Sequence, residues 1–206
     1  MNKIKNKKGK WIKLICGASN EDIVAIEDLC AIYTAAGVDY IDVAAEESIV
    51  NAAKKGIEWA QKICNNSPGL MISISDGNDI HFRKAKFDPL RCPSNCSRPC
   101  EKVCPTFAID ISGIKESKCY GCGRCIKSCP LNLISEYEYN LSKYDLATTL
   151  QKTKPNAVEI HTRINHLDSF AKVVSILKTS ETKLDKISIS CGSVSYTHLT
   201  LPTKCW

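Results

Sequence analysis

Eight of the thirteen cysteines in this 206-residue chain fall between Cys92 and Cys129. Thiols this dense need a chemical partner, either one another or a metal. The later run, Cys119, Cys122, Cys125 and Cys129 followed by Pro130, has the spacing C-x2-C-x2-C-x3-C-P. The earlier run, Cys92, Cys96, Cys100 and Cys104 followed by Pro105, is the looser C-x3-C-x3-C-x3-C-P. They are copies of one another. Cys100 and Cys125 are 25 residues apart, as are Cys104 and Cys129, while Cys96 precedes Cys122 by 26 and Cys92 precedes Cys119 by 27. The extra residues therefore lie between the early cysteines of the first run. The residues after each Cys-Pro also match, "CPTFAI" against "CPLNLI".

The later spacing is that of bacterial ferredoxins, in which three close thiolates wrap one cluster and the fourth ligates its neighbour. Crossing the fourth ligands assigns Cys92, Cys96, Cys100 and Cys129 to one cluster. Cys119, Cys122, Cys125 and Cys104 hold the other. Both are expected to be [4Fe–4S], with a three-iron form left open for the wider first run. Gly121 and Gly123 free the loop to curl, so that backbone amides reach the sulfurs. "FAIDISGIKE" reads as a short hairpin around Ser112 and Gly113. Arg91, Arg98, Lys102 and Lys118 flank the ligands. Zinc sites favour two C-x2-C pairs separated by a longer loop, which fits this spacing poorly. A disulfide framework conflicts with the reducing cytoplasm inferred below. Cys16, Cys30, Cys64, Cys191 and Cys205 are scattered and read as small buried hydrophobes.

Outside the cysteines the pattern is strand then helix, repeated, which argues a parallel sheet. Strand-like runs are Trp11–Ser19, Val38–Ala45, Leu70–Ser75, Ala157–Arg163 and Lys186–Gly192. The first helix takes Asn20 as cap and stops at Gly37. The long gap between the third and fourth runs holds the cysteines, after a strand's carboxyl end, where parallel α/β proteins carry their sites. The expected fold is thus a partial TIM-barrel-like β/α repeat, truncated after about five strands, with an inserted ferredoxin-like module. A complete barrel takes roughly 250 residues. The organisation is a basic flexible tail (1–10), a first β/α part (11–90), the insert (91–136), a second β/α part (137–192) and a non-native tail (193–206). Within the strands, Ile12, Leu14, Cys16, Ile41, Val43, Val158 and Ile160 would lie under the helices. Lys13, Asp42, Ser73, Ser75, Glu159, His161, Arg163, Ser188 and Ser190 would face the other way, as a ligand pocket, a paired polar core, or a face exposed because strands are missing.

Net charge is +6, with six lysines among the first thirteen residues. That reads as a solvated tail, and no nucleic-acid motif follows it. No apolar run approaches a membrane span and no signal peptide is evident, so a cytoplasmic protein is expected.

The opening "WIKLICGASNEDIVAIEDLCAIYTAAGVDYIDVAAEESIVNAAKKGI", followed by the two cysteine runs, resembles the cyanobacterial light-dependent period (LdpA) family from about Trp11 to Gly192. The resemblance implies an iron–sulfur protein that feeds cellular redox state to the circadian clock, and members that extend further at the carboxyl end. By position it carries cluster ligation onto the eight cysteines named. The expected function is a redox sensor or electron-transfer adaptor acting on a protein partner. The alternative is a cluster-dependent oxidoreductase with a substrate or flavin site at the mouth of the β/α domain; neither a G-x-G-x-x-G fingerprint nor a P-loop is present.

Overall fold

A computed structural model of the chain describes residues 11–16, 22–77, 82–139 and 143–191. The basic tail, Asn20 and the segment 193–206 lie outside the described residues. Five strands form one parallel sheet: β1 (Lys13–Ile15), β2 (Tyr40–Ala44), β3 (Gly69–Ser75), β8 (Ala157–Thr162) and β9 (Lys186–Cys191), numbered in chain order. Their order is β1-β2-β3-β8-β9, so each new strand joins the same edge, as in the wall of a barrel. The sheet curls into a half-barrel. Its curl can be read from one side chain. In a flat sheet β1 and β8 would stand about 14 Å apart, three inter-strand spacings. Yet Lys13 on β1 is paired with Glu159 on β8.

Helices cover the convex face because alternate strand residues are apolar. Ile41, Val43, Leu70, Ile72, Ile74, Val158 and Ile160 form one core with Ile26, Ile49, Val50 and Leu150 of the helices, and Leu14 packs against it. Each such side chain, fully buried, contributes about 1.5–3 kcal/mol. Ile12, expected in this layer, is instead 53% exposed and its N–H donates to Asp39 at 2.8 Å. It precedes the first paired residue of β1 and so escapes the helices.

Helix α1 (Ile23–Ala36) is capped by Asp22, whose carboxylate accepts from the Val24 N–H at 3.0 Å. The cap is thus two residues later than the expected Asn20. The helix stops as predicted at Gly37, which sits in the left-handed region at φ 91°. Helix α2 (Glu47–Gln61) crosses α1 at Gly56, where an added Cβ would meet the Glu27 carbonyl oxygen at 2.1 Å. Gly56→Ala is therefore expected to push the helices apart and cost about 1–3 kcal/mol, read as a lower denaturant midpoint. Helices α5 (Lys143–Thr153) and α6 (Leu167–Thr179) complete the layer. Among the described residues, no helix is long and apolar enough to cross a membrane.

Between β3 and β8 the chain makes a long excursion. It leaves through β4 (Arg83–Lys86) and returns through β7 (Ser135–Glu138), an antiparallel pair. Within it lie α3 (Pro99–Lys102), the two-stranded β5 (Ile109–Asp110) and β6 (Gly113–Ile114), and α4 (Arg124–Ser128). The expected hairpin is present with its turn one residue earlier, at Ile111 and Ser112, held by Ser112 N–H donating to Asp110. A second, smaller core of Ala85, Ile109 and Ile134 fills the excursion together with the cysteines.

Candidate metal centre

The sequence repeat is also a repeat of local structure. A turn of 3₁₀ helix precedes the first cysteine of each run, Pro89–Arg91 and Glu116–Lys118. Each of those cysteines donates its N–H back to that turn: Cys92 to Pro89 at 3.1 Å, Cys119 to Glu116 at 3.2 Å. Cys100 and Cys125 ride on the short helices α3 and α4. A left-handed residue precedes each helix, Arg98 at φ 49° and Gly123 at φ 71°. Three residues beyond each final cysteine the chain turns left-handed again, at Phe107 and Asn132. That turn aims the next amide back at the sulfur. Ala108 N–H donates to Cys104 Sγ at 3.2 Å and Leu133 N–H to Cys129 Sγ at 3.5 Å.

The thiols fall into two groups. Cys125 feels the charges of Cys119, Cys122 and Cys104, and Cys104 also lines a small cavity with Cys119, Cys122 and Cys125. Cys92 feels Cys96 and Cys129, Cys100 feels Cys129, and Cys92 and Cys100 line a second small hollow. Cys104 thus stands with Cys119, Cys122 and Cys125, and Cys129 with Cys92 and Cys100. Among the described residues, no three His, Cys, Asp or Glu side chains converge on a point that could hold one metal ion.

Burial and the neighbouring thiols push Cys125 up to about 12. Burial also raises Cys119, though the Ala85 and Gly121 N–H groups oppose it. Four thiolates in so apolar a hollow repel one another unless a cationic core neutralises them. At Cys129 burial acts upward too, but the amides of Leu133, Leu131, Ile134 and Asn132 outweigh it and hold the thiol below its ordinary range. Both expected glycines are left-handed, Gly121 at φ 82° and Gly123 at φ 71°. Gly121 also passes so close to β4 that a Cβ would meet the Arg83 carbonyl oxygen at 2.1 Å.

Of the four cations expected around the ligands, Arg98 lies beside Cys92 and Cys100 and pairs with Glu101 at 2.8 Å. Arg91, Lys102 and Lys118 point into solvent. The sequence reading missed Lys84, which is buried near Cys119 and bonds the Glu116 carbonyl at 2.8 Å and Glu46 at 3.2 Å. It missed Tyr120 as well, which is buried between Cys119 and Cys122 in the chain. An aromatic residue inside a ligand loop was the available signal.

The polar strand faces meet on the concave side. Lys13 bonds Asp42 at 2.9 Å and pairs with Glu159; Ser73 donates to Asp42 at 2.7 Å; His161 Nε2 stands 3.7 Å from Glu159. Asp42 is 1% and Glu159 5% exposed. Burial lowers the Lys13 ammonium, but its bonds to Glu159 and Asp42 outweigh this and raise it. The charges satisfy one another, which is the paired polar core of the three arrangements anticipated. Ser188 and Ser190 are partly buried on β9, and Arg163 lies beyond the end of β8.

A curled parallel β/α sheet with eight cysteines gathered in one excursion defines the class, a cysteine-rich α/β protein with a candidate metal centre. The comparisons narrow it. Residues 92–140 match the LdpA Fe-S cluster-binding domain, and residues 149–203 match the Light dependent period A C-terminal domain. The chain is 44% identical over 184 residues to Light dependent period A of Synechococcus elongatus, covering 89% of this chain and 52% of that protein. It therefore belongs to the LdpA family, and it spans about half the length of that relative. It is also 29% identical over 110 residues to UacF of Escherichia coli, covering 50% of this chain and 17% of that protein. Against Pixie of Drosophila melanogaster it is 28% identical over 82 residues, 34% of this chain and 13% of that protein. No solved structure matches it.

Proposed function

We propose that the chain is a two-cluster redox protein, sensing or relaying electrons to a protein partner as an input to the circadian clock. The observation that carries this reading is the crossed grouping of the eight cysteines. In this reading 91–136 is a ferredoxin-like module holding two [4Fe–4S] clusters. Cys92, Cys96, Cys100 and Cys129 hold one, and Cys104, Cys119, Cys122 and Cys125 the other. Bound clusters supply one-electron chemistry at potentials set by burial and by hydrogen bonds to sulfur. The chain's own part is to neutralise, bury and orient. The amides converging on Cys129, Cys104 and Cys119 favour added negative charge at those sulfurs. Arg98 is placed to follow that charge, because it is shared between Glu101 and the thiols of Cys92 and Cys100. A partner that binds the two redox states with different affinity then reads the signal. The clock role rests on the family relationship.

Anaerobically purified protein is expected to hold about eight iron and eight acid-labile sulfide per chain, the content of two cubane clusters. It is expected to lack stoichiometric flavin. Zinc without sulfide would overturn the reading. Flavin, with cluster reoxidation driven by a small substrate, would favour the oxidoreductase instead.

A further inference from the structure

Tyr120 sits between two of the cysteines in the chain. Its ring is packed in the core of the β/α body, where Cys122 also packs, while Cys119 and Cys125 pack in the smaller core of the excursion. The residue is 4% exposed, and its hydroxyl makes no hydrogen bond of good geometry. It lines the same cavity as Cys122, whose thiol acts on it electrostatically. A buried hydroxyl left unpaired is costly. A neutral thiol is a weak acceptor and offers little relief. A metal-bound thiolate is a charged acceptor and offers much more.

We infer that Tyr120 donates its hydroxyl hydrogen to the Cys122 sulfur and thereby sets the potential of the cluster held by Cys104, Cys119, Cys122 and Cys125. This rests on the cluster ligation proposed above. An O–H donor at a ligand sulfur stabilises the reduced state, which carries one more negative charge, and so raises the potential. Donor and acceptor both pack against the core of the body, which holds them together. Tyr120 is a positioning residue in this scheme and ligates nothing itself.

The test is a redox titration of the full chain followed by electron paramagnetic resonance, with iron and sulfide measured on the same samples. Tyr120→Phe keeps the ring and removes the donor. It is expected to leave iron and sulfide unchanged and to lower one cluster's potential, changing its oxidised-to-reduced ratio about tenfold, or about 59 mV for one electron. The other cluster should hold its value. Replacing Tyr120 by 3,5-difluorotyrosine keeps the hydroxyl and strengthens it as a donor, so the same cluster should move upward. If the phenylalanine variant fails to fold, the fluorinated one decides alone. Unmoved potentials with intact clusters would overturn this inference and leave the ligation standing. A wild-type chain without clusters would overturn the ligation itself.

Discussion

Replacing Cys129 by Ala is expected to remove the cluster of the early run, although Cys129 belongs to the late one. Iron should fall from about eight to about four per chain. The reason is the turn at Cys-Pro. Each short helix carries the third cysteine toward its own hollow, and the chain then turns away, leaving the fourth beside the other group. Cys104→Ala should do the converse, because Cys104 shares its cavity with Cys119, Cys122 and Cys125. Double replacements make the assignment decisive. Cys129→Ala added to Cys96→Ala should remove nothing further, since both serve one cluster. Cys129→Ala added to Cys122→Ala should empty the chain. If Cys129 and Cys122 prove to serve the same cluster, the runs do not cross.

The second large effect is expected at Lys84. Its side chain is 3% exposed, bonded to Glu46 and to the Glu116 carbonyl, with its ammonium 4.0 Å from the centre of the Tyr139 ring. Lys84→Met keeps the volume and removes the charge, leaving Glu46 half-buried without its cation. Breaking one side of such a pair costs about 3 kcal/mol or more, read as a lower denaturant midpoint under anaerobic conditions. The pH dependence carries the same signature. Burial already pushes Glu46 up to about 7, with Lys84 opposing it. Between its unfolded value near 4.5 and that folded value, the folded chain binds the extra proton. Stability from this group is therefore complete below about pH 4.5 and declines as pH rises to about 7, by at most about 3 kcal/mol. Glu46→Gln should flatten that slope. Lys84→Met should extend it to higher pH. A slope unchanged by either substitution would remove Glu46 as its source.

The sheet was legible because its strands are short apolar runs bounded by helix signals, and all five predicted runs pair in the predicted parallel sense. The cluster-binding stretch was legible because the spacing of its cysteines follows a chemical requirement, and the family match covers it. What escaped shows the limits of local pattern. β4 reads "RKAK", which no hydrophobic period would mark as a strand; Lys84 is buried there only because Glu46 and Tyr139, distant in sequence, receive its charge. Asp22 displaced Asn20 as the cap, and it also pairs with Arg124 of the excursion at 2.7 Å. Ile12 carries the right residue type but lies one step outside the ladder. Each depends on a neighbour brought by the tertiary fold.

β3 and β8 are adjacent in the sheet even though the whole cysteine-bearing stretch lies between them in the chain. The excursion starts and finishes at one place, with β4 paired to β7. A detour whose ends already meet adds closure entropy only as the logarithm of its length. The scaffold is therefore nearly indifferent to how long that detour is. A cluster-binding stretch can be grafted onto such a body, or lost from it, by a single splice at one connection, and no strand need change its register.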